Sequence, residues 1–281
     1  SDPDFVLVNS NGCPNHYFVN AVGNNPNTAY TQTYDFRIPK RPRLRNASLA
    51  KNTNVITFLG AVGVSTANSP LFTPAVGPQG GDAGQSEIDT FDCGQGHATP
   101  TGEYHYHIAP YLLDKAQRTL PGTKHSPLYG YLIDGVPVYG PMGDNGQPAT
   151  GLDDCHGHSG DGGGLGYHYH TKAPDGVIPG PQDQSSSANV LPYFAGCMAG
   201  CVADSGQGSG AKAESWADCV TSSDPAVMGS IPTYAGERSS LTIARSAYNY
   251  SGCPASFLTE FEKENQSPAG NTTGAAGPGV A

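Results

Sequence analysis

Charge is scarce in this chain: Asp, Glu, Lys and Arg make up only 14% of its 281 residues. Positive charge is scarcer still, with 14 Lys plus Arg against 24 Asp plus Glu and a formal net charge of −10. An acidic surface repels phosphate backbones and anionic headgroups, which argues against nucleic acid and anionic membrane surfaces as partners. The one basic run, Lys40 to Arg45, is short and broken by Pro42, so it reads as a solvated strand edge or loop. Long apolar runs are missing too. "VITFLGAVGV" (55–64) stops at ten residues, well short of the roughly 20 that cross a bilayer. Gly-rich "GDGGGLG" (160–166) lacks the Lys-Ser/Thr ending of a phosphate loop and reads as a flexible spacer. No Gly-x-Ser-x-Gly nucleophile elbow occurs.

What is abundant is glycine (38) and proline (24), the mark of a loop-rich chain, while 37% hydrophobic residues suffice for a core. Cysteines stand at Cys13, Cys93, Cys155, Cys197, Cys201, Cys219 and Cys253. Sequons at Asn46, Asn249, Asn265 and Asn271 would accept N-glycans on a eukaryotic secretory route. The chain opens on Ser1 rather than Met, as after removal of a leader or at an expression boundary. Together these features predict a secreted, extracellular protein with up to three disulfides and one leftover thiol. Cys197-x-x-x-Cys201 has a zinc-like spacing, but in an oxidising compartment disulfides are favoured.

Short apolar runs punctuated by Gly, Pro and Asn dominate the first 180 or so residues. "TYDFRIP" (33–39), "NVITFLGAVGV" (54–64), "EYHYHIA" (103–109) and "LYGYLIDGVPVYG" (128–140) read as strands. Asp134-Gly135 in the last is a hairpin turn signal, because both types tolerate positive φ. "AKAESWADCV" (211–220) and "ASFLTEFEKENQ" (255–266) read as short helices, and 203–212 as a surface loop. The predicted fold is mainly β: a disulfide-stabilised, loop-rich β-sandwich or barrel-like domain with an internal motif duplication and a small irregular or helical C-terminal part. The predicted boundaries are a β domain over 1–200, a Cys-containing extension over 201–266 packed on it, and a polar tail over 267–281.

The duplication concentrates the chemistry. "DCGQGHATPTGEYHYHIAP" starts at Asp92 and "DCHGHSGDGGGLGYHYHTKAP" at Asp154, offset by 62 to 63 residues. Nine histidines placed at random would give about 0.3 His-x-His pairs, yet 105/107, 156/158 and 168/170 all occur. On a strand, alternate side chains share a face, so His105 and His107 point together, as do His168 and His170. The intervening tyrosines then face the core. His97 and His158, each on a Gly-His turn, supply a third imidazole per copy. Imidazole suits copper, zinc, nickel and iron, and three nitrogens with an open position are the pattern of a catalytic metal. The predicted metal ligands are therefore His97, His105, His107, His158, His168 and His170. Copper is expected ahead of zinc by the Irving–Williams order. Supporting roles fall to His16, His125, Asp92 and Asp154, since a carboxylate often fixes the tautomer of a liganding imidazole. Glu103 and Asp134 are further acidic candidates, and His156 is the bystander. Pairing of 103–109 with 166–171 would gather four histidines at one shared site. Cys93 and Cys155 occupy equivalent places in the two motifs and could bridge, or each could pair elsewhere.

Residues "NGCPNHYF" (11–18), "FLGAVGVSTANSPLF" (58–72), "FDCGQGH" (91–97), "HSPLYGYLIDGVPVYGP" (125–141) and "LDDCHGH" (152–158), with the two Tyr-His-Tyr-His tetrapeptides, resemble the YHYH-domain family of secreted proteins. The resemblance runs from residue 10 to about 175 and marks His16, His97, His105, His107, His125, His158, His168 and His170 as family-type positions. It implies a shared site without naming a reaction. The expected function is a secreted protein that binds a transition metal through these histidines. Two other classes remain open: a glycosylated structural subunit of a surface or filament, self-associating outside the cell, and a metal-dependent hydrolase or oxidase.

Overall fold

The computed structural model describes residues 4–15, 18, 20–21, 24–43, 60–73, 75–76, 81–92, 94–108, 123–153, 155–161, 164–171, 177–178, 198–202 and 241–242. His16, Asp154, Cys93, Cys197, Cys219, Cys253, all four sequon asparagines, the loop 203–212, the expected helices 211–220 and 255–266 and the tail lie outside them.

The chain is mainly β, as its alternating patterns predict. Strands β1 (Phe5–Ser10) and β2 (Tyr34–Pro39) pair antiparallel. On β2, Tyr34, Phe36 and Ile38 point inward while Asp35 is exposed, the period of two of a half-buried strand. Then follow β3 (Ala61–Ser65), β4 (Pro70–Phe72), β5 (Ala75–Val76), β6 (Gly81–Asp82), a short helix α1 (Ala83–Ser86) and a 3-10 turn (Ile88–Thr90). The remaining strands are β7 (Gly96–Ala98), β8 (Tyr104–Tyr106), β9 (Leu128–Leu132), β10 (Pro137–Tyr139), β11 (Gly157–His158), β12 (His168–His170), β13 (Val177–Ile178) and β14 (Leu241–Thr242). β5–β6 and β13–β14 form small pairs of their own. Among the described residues no helix is long and apolar enough to cross a membrane.

Eight strands make the main sheet, in spatial order β11-β12-β10-β9-β3-β4-β8-β7. Among the described residues the sheet has two ends, β11 and β7. β2's inward residues share one core with Val62, Val64, Leu71, Leu132 and the buried tyrosines of the large sheet.

That order reads the same from either end. β3-β4-β8-β7 and β9-β10-β12-β11 are two copies of one four-strand unit, joined by antiparallel pairing of β3 with β9. Within each unit the first two strands run antiparallel (β3–β4, β9–β10), the second and third parallel (β4–β8, β10–β12), and the outer pair antiparallel (β7–β8, β11–β12). Sequence now follows structure: "AVGVSTANSPLF" (61–72) aligns with "LYGYLIDGVPVY" (128–139) at an offset of 67. Ser65 N–H donates to the Ser69 carbonyl at 2.9 Å, and Leu132 N–H to that of Val136 at 3.1 Å. The turn residue is Asn68 at φ 70° in one and Gly135 at φ 85° in the other. Gly63 and Gly130 sit where the halves meet. A Cβ on Gly63 would run into the Tyr131 carbonyl, and one on Gly130 into that of Val64, so close backbone approach excludes a side chain at both. The expected duplication of a motif is thus duplication of a whole sheet half.

One consequence corrects the expectation of a shared histidine face. β4, β3, β9 and β10 lie between β8 and β12. Five strand spacings of about 4.8 Å separate them, some 24 Å. Each Tyr-His-Tyr-His strand instead pairs with its own Gly-His strand, because the intervening spacer is short enough for a local antiparallel return.

Candidate metal centres

Both Gly-His turns are built alike. Asp92 N–H donates to the Gly96 carbonyl and Gln95 N–H to that of Asp92, at 2.8 and 3.0 Å; Asp153 with Gly157 and His156 with Asp153 repeat this at 2.9 and 2.9 Å. Gln95 (φ 68°) and His156 (φ 63°) both take the left-handed conformation. Asp92 Oδ1 accepts the N–H groups of Gly94 and Gly96, and Asp153 Oδ1 those of Cys155 and Gly157. Tyr104 Oη donates to Asp92 (2.9 and 3.0 Å), and Tyr167 Oη to Asp153 Oδ2 at 2.7 Å. Each phenol lies flat against the glycine of Gly-His, where a Cβ would strike the ring.

These contacts revise two expectations and show that Asp92 braces the turn. Its counterpart is Asp153, not Asp154, which falls outside the described residues. Cys155 therefore matches Gly94, so Cys93 and Cys155 are not equivalent positions. Cys155 and Cys201 each take part in a disulfide, while Cys13 is a free thiol. The tyrosines serve the core: Tyr104, Tyr106 and Tyr169 are buried. Glu103 accepts from Tyr34 Oη at 3.0 Å and Asp134 from Tyr169 Oη at 2.7 Å.

The first centre comprises His97 from β7, His105 from β8 and His107 just after it. Nε2 of His105 lies 3.0 Å from Nε2 of His97 and 3.0 Å from Nε2 of His107. Glu87, between α1 and the 3-10 turn, brings Oε2 to 3.6 Å from His97 Nε2 and 3.3 Å from His107 Nε2. Phe72 stacks on His105 at 3.9 Å between ring centres, and Phe91 meets His97 edge-on at 4.9 Å.

The second centre gathers the matching residues of the other half. Nε2 of His170 lies 3.1 Å from Nε2 of His158 and 3.1 Å from Nε2 of His168. Two further donors join them. His125, expected in a supporting role, points Nε2 to 3.3 Å from His168 Nε2. Asp161 Oδ1 lies 2.9, 3.0 and 3.3 Å from Nε2 of His168, His158 and His125. His125, Asp161, His168 and His170 offer atoms all within 4.8 Å of one another, as do His97, His105 and His107 in the first centre.

The other ring nitrogen decides what these clusters are. Nδ1 of His105, His107, His125, His158, His168 and His170 faces the backbone carbonyl of Glu103, Thr73, Ser126, Thr150, Gly166 and Gly140, at 2.9, 2.5, 2.8, 3.0, 2.7 and 2.6 Å. A carbonyl only accepts, so each Nδ1 carries the proton. His97 Nδ1 meets Thr90 Oγ1 at 2.7 Å; that hydroxyl donates to the Glu87 carbonyl at 2.5 Å and so accepts from His97. A neutral imidazole has one N–H, so all seven Nε2 atoms are bare lone pairs. At four of the rings burial favours the neutral form, assisted by the neighbouring imidazoles: His97 falls to about 4, His105 well below its ordinary value, His168 lower. Burial likewise takes His170 to about 3 against the opposing pull of the Gly140 carbonyl. Lone pairs 3.0–3.3 Å apart cannot bond one another; they repel unless a cation sits among them. Metal bonds of about 2.0–2.1 Å at angles of about 90–109° require donor separations of about 2.9–3.4 Å, and the rings supply them. An Nδ1–H bound to a carbonyl is also how proteins orient histidine ligands.

With this geometry in view, the comparison with known families is informative. The model of the family described as YHYH protein matches residues 35–150. Over that span the chain is similar to the YHYH family. The YHYH match contains the whole first centre and His125, and it ends before His158, Asp161, His168 and His170. No curated protein and no solved structure matches the chain.

Sequence reasoning thus named all six motif histidines as ligands, and the structure brings them together in two threes. It missed Glu87 and Asp161. Glu87 carries no sequence signal at all. Asp161 stands three residues after His158 inside a Gly-rich stretch that reads as a plain spacer.

Proposed function

We propose that this is a secreted, disulfide-stabilised β protein that holds two divalent transition-metal ions, one in each half of its duplicated sheet. The observation that carries this reading is the uniform tautomer of seven imidazoles, six of them buried, which aims every bare Nε2 into two small volumes. A hydrated histidine face would need neither the carbonyl tethers nor the convergence. Copper(II) is favoured over zinc, because nitrogen-rich donor sets follow the Irving–Williams order. Secretion rests on the cysteines and sequons.

The test is elemental analysis of the natively purified protein, followed by chelator washing and reloading. Two ions per chain are expected for the wild type. The pair His105→Ala with His107→Ala should leave one, and so should His168→Ala with His170→Ala. One change in each half, His105→Ala with His168→Ala, should abolish stoichiometric loading. Wild-type protein that takes up no stoichiometric metal refutes the proposal.

A further inference from the structure

We infer that the two centres are not equivalent: the first leaves a coordination position open to a small anion or water, and the second does not. This rests on the two-metal reading above. Duplication gives each half the same three imidazoles on matching tethers; the halves differ in what they add. Among the described residues the first adds only Glu87 Oε2. The second adds Asp161, from a spacer two residues longer, and His125. By the offset of 67, His125 corresponds to Phe58, a side chain with no donor atom.

Donor number carries the contrast, because the imidazole spacings are alike: 3.0 and 3.0 Å in the first centre, 3.1 and 3.1 Å in the second. The first offers three donor atoms within 4.8 Å of one another, from His97, His105 and His107, and the second four, from His125, Asp161, His168 and His170. Three nitrogens leave a position over on the ion, whereas four donors close a tetrahedral set. The Glu87 side chain is 29% exposed, a route by which solvent ligands reach the first ion; in the second centre Asp161 is 20% and His158 15% exposed, while His125, His168 and His170 are fully buried. Tyr139 further covers the second centre, edge-on to His125 and His168 at 5.0 and 5.2 Å.

Azide titration of the cobalt(II)-loaded chain tests this, read by the visible absorption of cobalt after two ions per chain are verified by elemental analysis. The expected change saturates at one azide per two cobalt ions. It persists in the His168→Ala, His170→Ala variant and is lost in the His105→Ala, His107→Ala variant, each checked for folding by circular dichroism. No azide response, or two azides per chain, in doubly loaded wild type overturns the open first centre while leaving the metal reading intact. A response that survives loss of His105 and His107 also overturns it. Failure of the wild type to load two ions sinks the metal reading itself. The wild-type stoichiometry decides the matter even if a variant fails to fold.

Discussion

Six of the seven imidazole tethers are backbone carbonyls beyond the reach of mutagenesis; the seventh, Thr90 Oγ1 on His97, is not. Thr90→Val keeps the shape, removes the acceptor, and leaves His97 Nδ1–H facing a methyl group. The ring then has two costs. A partly buried N–H loses its partner, worth on the order of 1–3 kcal/mol, and the lone pair is no longer aimed. Loss of such an outer partner typically weakens metal affinity about 10–100-fold, or about 1.4–2.7 kcal/mol. Only the first centre should suffer, because His158 at the matching place is tethered by the Thr150 carbonyl. Competition against a chromogenic chelator, with two ions loaded, should show one ion released more easily and the other held as in wild type. Thr90→Ser, which restores the hydroxyl, should recover most of the affinity. Wild-type affinity in the valine variant would refute the tautomer argument, and so would equal weakening of both ions or failure of serine to rescue.

The metal-free protein should lose stability in acid over a defined window. Burial holds His97 at about 4 and His170 at about 3, whereas an unfolded imidazole titrates near about 6.5. Between those limits the unfolded chain binds more protons, so the stability present above about 6.5 drains away as pH falls through that window towards the folded-state values. Urea midpoints should be flat from about pH 8 to 7 and then fall; a midpoint rising from pH 6.5 to 4.5 would contradict buried neutral rings. Gly96→Ala should cost about 1–3 kcal/mol by overpacking against Tyr104. Gly157→Ala should do the same against Tyr167, each weakening only its own ion; unchanged thermal midpoints would show that the phenols do not pack on the turns as described.

Much of this was legible because its physics is local. A strand has a side-chain period of two, so "YHYH" had to place both histidines on one face and both tyrosines on the other. "DG" at 134–135 announced its turn through the φ values those residues tolerate. Gly-His next to a Tyr-rich strand was legible as a motif, though its reason, a phenol lying on the glycine, was not. The resemblance between 61–72 and 128–139 went unread because only a glycine, a proline and a run of apolar types persist there.

The sequence alone therefore determined the donor chemistry: which residues are imidazoles, how they pair within each motif, and that the motif occurs twice. Tertiary structure decided how many histidine clusters form and which other donors join them. Whether two strands 63 residues apart become neighbours depends on the order of a whole sheet, and no local period encodes that order. Glu87 and His125 reach their histidines only because separate segments are folded back onto the sheet, and Asp161 only through the course of its loop. Such contacts come from packing across the chain, and so they appear only when the chain is closed.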